Sequence, residues 1–472
     1  MNRKLPDCTH TSRAPLHWRI FPRVGQAAAL FLLLLALPRV ASAVPSFARQ
    51  TGLACSACHI DPPELTPLGR QFKLNGYTMT GIKVISAKPS KNTPGLQILS
   101  YLPLAAWLEM STTGLNKPEP GSSNWDYSLP QDVSLFLAGA FATHAGGFIQ
   151  ATYNAQSDHF SWDNTDIRYA RNTLLAGQTF VYGADMNNNP TVEDLWSDTP
   201  AWGYPWVASS SAPSPAAATI IDGTLAQDVA GIGGYAMWDN HLYGAAEIYR
   251  SAHLGQPLPN PGTSFNINIR GAAPYWRVAW QQSMGNSYLE FGSYGMHVRS
   301  TPNAVVGPTN TYTDVAFDTQ FERVLPSLNN DILTLHATYI HENSNLNAFY
   351  DQQQASLVAH HLNTFRVNAI YHFGYRYDPG IGYFVTTGTA DPLLYASLDS
   401  NGNPVPVKND RTGSPKNAGV LLNFTYWPVQ NVRLAAQYTI YTTFNGSTYN
   451  YDALGRNASD NNSLYLVVGL IF

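Results

Sequence analysis

Two thiols and an imidazole set the chemistry open to this chain. Cys55-Ser56-Ala57-Cys58-His59 places two cysteines three positions apart, with a histidine directly after the second. That C-x-x-C-H spacing suits covalent attachment of a c-type haem. Each thiol adds across one vinyl group, and the adjacent histidine becomes an axial ligand of the iron. C-x-x-C alone also suits zinc or thiol–disulfide chemistry. A structural zinc site wants a second ligand pair at regular spacing, and a thioredoxin-like site wants a βαβ setting; the sequence offers neither. The chain has three cysteines, and the third, Cys8, falls in a stretch expected to be removed. An exported chain whose remaining thiols both sit in C-x-x-C-H has no disulfide framework to account for them.

That stretch, residues 1–43, reads as a secretory signal. Arg3, Lys4, Arg13, Arg19 and Arg23 make a basic region, Ala27 to Leu37 an apolar run of 11 residues, and Ala41-Ser42-Ala43 an A-x-A cleavage site before Val44. The run is shorter than the about 20 residues a membrane-spanning helix needs. Without residues 1–43, which carry six Lys/Arg and one Asp, 21 basic and 30 acidic residues remain, a net of −9. That charge excludes nucleic acid as an expected partner.

Composition narrows the fold. Charged residues are 12% of the chain and aromatics another 12%, where about 25% charged is usual. Hydrophobic residues reach 44%, yet no second long apolar run follows the leader. An exported chain of this kind fits an all-β fold, a transmembrane antiparallel β-barrel whose strands alternate lipid-facing and lumen-facing residues. The alternation is visible in several stretches. Val432, Leu434, Ala436, Tyr438 and Ile440 alternate with Arg433, Gln437 and Thr439; Phe365, Val367, Ala369, Tyr371 and Phe373 alternate with Thr364, Arg366, Asn368 and His372. Leu333 to Tyr339 and Ile149 to Asn154 follow the same period of two. At the C-terminus Leu464, Leu466, Val468, Leu470 and Phe472 form one apolar face ending on an aromatic residue, as in the final strand of bacterial outer-membrane barrels. Residues 96–472 suffice for roughly 14 to 18 strands, a porin-like barrel wide enough to keep a lumen. Asp239-Asn240, Asn401-Gly402 and Asn445-Gly446 mark turns. Between about 155 and 224 alternation is poor. That region, rich in Asn, Pro and Trp, is read as a long loop folded inward.

The motif and its surroundings resemble a known family. Phe47-Ala48-Arg49-Gln50-Thr51-Gly52, the C-x-x-C-H, Leu65-Thr66-Pro67, Gly69-Arg70, Phe72-Lys73-Leu74 and Gly76-Tyr77, ahead of a porin-like barrel, are similar to the outer-membrane fused monohaem cytochrome–porins of iron-oxidising bacteria. Asp163 to Ala170 and Asn187 to Pro205 resemble the same family. The resemblance implies a protein of the outer membrane, embedded in its lipid, with one covalently attached c-type haem. Such a protein oxidises extracellular Fe(II) and passes the electron to a periplasmic cytochrome c or similar carrier. Fold carries over between relatives more safely than substrate. A conduit with another donor or direction, and a solute porin with a structural haem, therefore stay open.

The residues add expectations of their own. A cytochrome segment at 44–95 is too small for an independent core, so it is expected to plug the lumen of the barrel at 96–472. His59 is the expected axial ligand. Met79, in the same segment, is the first candidate for the distal iron position, followed by Met110, His144, His336 and His372. Arg49, Arg70 and Lys73 are candidates to pair with haem propionates. Asp61 and Glu64, close to the motif, are candidates to draw Fe(II) to an exposed haem edge.

Overall fold

The structure, a computed structural model, describes residues 45–82, 84–119, 123–251, 268–302, 307–395, 397–398, 404–405 and 411–472. The leader at 1–43, with Cys8, and the Asn401-Gly402 turn lie outside the described residues.

Three helical pieces come first: α1 (Ser46–Thr51), the single turn α2 (Cys55–Cys58) and α3 (Pro67–Leu74). A small exposed hairpin, Val84–Ala87 against Leu96–Leu99, leads to the barrel. The wall is then built from sixteen antiparallel strands, within the range read from the sequence, and it begins at Leu104. The first half comprises β1 (Leu104–Leu115), β2 (Trp125–Ala142), β3 (Ala145–Asn154), β4 (His159–Leu175), β5 (Gln178–Asn187), β6 (Val229–Trp238), β7 (Leu242–Ser251) and β8 (Ala273–Met284). The second comprises β9 (Ser287–Thr301), β10 (Asn310–Leu325), β11 (Asp331–Asn345), β12 (Ala359–His372), β13 (Tyr377–Gly388), β14 (Asn417–Val429), β15 (Val432–Thr443) and β16 (Ser463–Ile471). Each strand pairs with the next, and β16 closes the ring on β1 from Ser463↔Leu115 to Ile471↔Trp107. Closure leaves no unpaired edge, which a hydrocarbon surround demands.

Solvent exposure is inverted relative to a water-soluble protein. On β8 the side chains of Trp276, Val278 and Trp280 are exposed on the outer face, while Tyr275, Arg277, Ala279 and Gln281 are buried inside. Arg168, Arg277 and Arg433 rank among the most completely buried side chains of the protein. An apolar exterior around a polar interior is the arrangement of a membrane-spanning barrel. Among the described residues no helix is long and apolar enough to cross a membrane; here the strands cross.

The two rims differ. At one end connections are tight, as at 143–144, 176–177, 285–286 and 430–431. Asp239 and Asn240 both take positive φ (52° and 56°) in the two-sided turn between β6 and β7, as their residue types predict. At the other end lie the longer connections, including 188–228, 346–358, 389–416 and 444–462.

The expected loop at 155–224 is corrected by the structure. Its first part forms β4 and β5, and the true loop is 188–228. The strands escaped notice because the inward face of β4 carries Asp166 and Arg168 as a buried ion pair, and because its pairing with β3 breaks register between Ile149 and Ala151. Both features blur the period of two. The loop itself turns into the lumen: Val192, Glu193, Leu195 and Trp196 are almost fully buried. Trp196 Nε1 donates to Tyr288 Oη at 2.6 Å, and the Ile220 and Ile221 amides donate to Glu342 and Asp314 of the wall.

The outward direction of Val278, midway along β8, is testable. Val278→Arg should lower the unfolding free energy in phospholipid vesicles by about 2–4 kcal/mol, the cost of an arginine at the bilayer midplane. Equilibrium unfolding in guanidinium chloride measures it, and an unchanged midpoint would contradict a lipid-facing Val278.

Candidate functional site

The C-x-x-C-H loop is held by a compact set of backbone bonds. The His59 amide donates to the Cys55 carbonyl at 2.9 Å, closing α2. The chain then reverses: Ile60 N donates to Glu64 O at 3.0 Å and Thr66 N to Cys58 O at 3.0 Å. Thr66 caps α3 by accepting from Gly69 N at 3.1 Å, and its hydroxyl donates to Ala57 O at 2.6 Å. The same threonine therefore starts the helix and ties it to the motif. Gly69 makes the approach possible, because a Cβ there would lie 2.1 Å from the Cys58 carbonyl oxygen.

His59 is fixed for ligation. Its Nδ1 lies 3.3 Å from the Pro63 carbonyl oxygen. A carbonyl can only accept, so Nδ1 carries the proton and Nε2 is the nitrogen left for a ligand bond. Burial holds the imidazole pKa below its usual value, against the opposing pull of the Pro63 and Glu64 backbone. The neutral ring is the form that binds metal. Burial likewise pushes the Cys55 and Cys58 thiols up, which disfavours the thiolates a zinc site requires.

Both cysteines and His59 border a cavity of about 830 Å³ inside the barrel. That volume lies in the range of sites for sizeable ligands. Its walls include Phe47, Phe72, Tyr77, Phe148, Trp202 and Trp206. Phe47 packs edge-on to Phe72 (5.1 Å) and stacks on Tyr77 (5.6 Å), while Tyr77 meets Phe148 of the wall at 5.9 Å. From the motif the cavity continues to Asn154 and Ser161, beside the β3–β4 turn on the long-loop side.

The wall grips residues 45–77 from several directions. Ser46 Oγ and Gln50 Nε2 donate to Ala138 O at 2.5 and 2.8 Å, and Cys55 N donates to Gln430 Oε1 at 2.8 Å. Tyr77 Oη donates to Asp166 at 2.6 Å, and Tyr235 Oη donates to Leu74 O at 2.9 Å. Ala138, Gln430 and Tyr235 lie near the tight-turn rim, whereas Asp166 is mid-strand, opposite Asn187 at the loop end of β5.

Several sequence expectations are redirected. Asp61 and Glu64 are wholly buried rather than at an exposed edge. Asp61 accepts from Trp427 Nε1 at 3.1 Å, and burial, opposed by Arg433, pushes its carboxyl up to about 7. Glu64 lies 3.1 Å from His336 Nε2 and 3.6 Å from His372 Nε2. Burial raises its pKa, but the two histidines together hold it below the usual value. His336 sits against Glu64, while His372 is held by Asp378 at 2.8 Å and Thr334 at 3.1 Å; neither histidine borders the cavity. Arg70 pairs with Glu322 and lies over the Tyr288 ring, so its guanidinium points into the wall and away from the cavity. Arg49 donates to the carbonyls of Leu102 and Leu104, outside the cavity lining. Lys73 does border the cavity, with its ammonium donating to the Val192 and Asp194 carbonyls at 2.6 and 2.5 Å. Met79, Met110 and His144 do not line it. Ahead of Met79 the chain takes positive φ at Gly76 and Tyr77 (69° and 55°), with Tyr77 anchored on Asp166. The sequence reading missed Pro63, whose carbonyl orients His59, and the walls given by Phe148 and Trp202. Gly69 had one signal, a glycine beside the helix cap.

No known protein-family model matches the chain, nor does any curated protein sequence. Among solved structures it is similar to the outer-membrane channel DcaP of Acinetobacter baumannii, at 12% identity and TM-score 0.45, over 78% of this chain and 96% of that one. An anion-selective porin from Comamonas acidovorans gives 10% identity and TM-score 0.44, over 78% and 98%. OmpT of Vibrio cholerae gives 11% identity and TM-score 0.39, over 78% and 96%. The fold rests on the strand pairing of this chain itself.

Gly69→Ala should leave the barrel intact and release the motif, since α3 must withdraw from the Cys58 carbonyl. Hydrogen–deuterium exchange of peptides covering 55–74 should speed up while the wall strands stay protected. Unaltered exchange there would contradict the close approach.

Proposed function

We propose that this chain is an outer-membrane electron conduit, carrying one covalent c-type haem on Cys55 and Cys58 and taking electrons from extracellular Fe(II). The observation that carries the reading is the C-x-x-C-H loop at the border of the luminal cavity, with His59 Nδ1 held by Pro63. The residues present fit the group. Two thiols flank one end of an aromatic-walled space of about 830 Å³, and the imidazole is neutral and oriented. When bound, a c-type haem supplies one-electron chemistry, matching the single electron that leaves Fe(II) as it becomes Fe(III).

The chain's own residues divide the remaining work. Cys55 and Cys58 tether, Pro63 aligns the His59 ring, and Phe47, Phe72 and Tyr77 keep water from that end of the cavity. Barrels of this class have short periplasmic turns and long extracellular loops. The motif thus lies toward the side of a periplasmic electron carrier, while the cavity runs toward Asn154 and Ser161 on the side of the donor. A solute porin needs an open aqueous lumen. Residues 45–77 and the loop at 188–228 both place buried side chains in that space, among them Phe72, Leu74, Tyr77, Leu195 and Trp196, which favours a conduit. The similarity of Phe47 to Tyr77 to the fused cytochrome–porins supports the same reading.

Stopped-flow absorbance of the oxidised, detergent-solubilised protein mixed with Fe(II) tests it. We expect a reduced c-type spectrum to appear rapidly in the native protein and not in Cys58→Ala or His59→Ala. A spectrum that stays oxidised with Fe(II) but reduces with dithionite would assign the conduit another donor.

A further inference from the structure

A second group of donors lies away from the cysteine motif, where the loop at 188–228 meets β8, β9 and β10. Arg277 Nη2 is 2.6 Å from Asp318 Oδ2, 3.1 Å from Asp194 Oδ1, and 3.6 Å from both Asp198 Oδ1 and Glu290 Oε1. All five side chains are fully buried. One guanidinium thus faces four carboxylates, and it does not serve them equally. Asp318 takes a two-point pair, adding Arg277 Nη1 to Oδ1 at 3.1 Å. Asp194 accepts from the amides of Trp196 (3.0 Å), Asp198 (3.2 Å) and Thr199 (3.4 Å) and from the Thr199 hydroxyl (3.0 Å). Asp198 and Glu290 are left over: no oxygen of either carboxylate has a hydrogen-bond partner.

Arg277 stands 3.6 Å from each of these two, but its single charge is shared among four buried carboxylates, and buried carboxylates short of compensating charge are costly. Ligand atoms from Asp198, Glu290 and Asp318 all lie within 4.8 Å of one another, close enough to share one ion. We propose that Asp198, Glu290 and Asp318 bind a hard divalent cation of the calcium or manganese class, independent of the C-x-x-C-H site. The donor set is oxygen alone, without sulfur or imidazole, which selects hard cations over zinc or copper. The ion would join Asp198, in the loop, to Glu290 and Asp318 on two wall strands, pinning the loop inside the lumen.

Electron paramagnetic resonance of free Mn(II), titrated into the full-length, chelator-stripped protein at neutral pH, tests the site. We expect the native protein to remove one equivalent of Mn(II) from the free signal and to release it to excess Ca(II). Asp198→Asn and Glu290→Gln should each abolish that binding, whereas Asp126→Asn, at an exposed end of β2, should retain it. Asp198 lies outside the wall strands, so its variant keeps the barrel even where Glu290→Gln disturbs β9. Native protein that binds no Mn(II) would overturn the proposal and leave the carboxyls sharing protons. Binding retained in both variants would overturn it as well.

Discussion

Residues 45–77 have no core of their own, and that shortage governs how the protein is put together. A segment of this size cannot bury enough apolar surface to stand alone. It borrows the barrel instead: Phe47, Phe72 and Tyr77 make a small aromatic cluster that is completed by Phe148 from the wall. Polar anchors do the rest, with Arg70 on Glu322, Tyr77 on Asp166 and Asp61 on Trp427. Removing one partner from a buried ion pair such as Arg70–Glu322 costs about 3–5 kcal/mol, because the other charge is stranded. The motif is therefore only as ordered as the wall around it.

The lumen is filled from both ends. The N-terminal segment enters near the tight turns, and the loop at 188–228 descends from the opposite rim. They meet at Lys73, whose ammonium donates to the Val192 and Asp194 carbonyls and lies 4.5 Å from the centre of the Trp202 ring. Arg168 links the same loop to β4 through the Glu193 carbonyl at 2.9 Å. This interlock turns a wide barrel into a scaffold that holds an aromatic-walled cavity beside the cysteine motif. It also explains the low overall charge beside so many buried ion pairs: the charges that remain are concentrated on inward faces, where they hold inserted chain.

How much of this was legible depended on what each residue's neighbours were. Strands β11, β12, β15 and β16 could be read directly, because each carries a run of apolar side chains at alternate, outward-facing positions. Strand β4 could not, because Asp163 to Arg168 looks like a turn sequence until Asp166 and Arg168 are seen to pair across the inward face. The motif itself was plain from spacing. Its surroundings were not: Arg49 and Arg70 read in sequence as partners of haem propionates and Asp61 and Glu64 as a draw for Fe(II), whereas each finds a partner contributed by strands or a linker far along the chain. Met79 was chosen for its nearness in sequence, and it does not border the cavity that Cys55, Cys58 and His59 line. Long-range partners of this kind leave no local pattern to read.

The central claim is that Cys55 and Cys58 hold a haem inside this barrel. Mass spectrometry of the purified mature protein, intact and after proteolysis, tests it most directly. The account predicts that the whole chain carries the added mass of one haem, located on the peptide that contains Cys55 to His59. A chain of unmodified mass, with both cysteines recovered as free thiols after export through the periplasm, would contradict it.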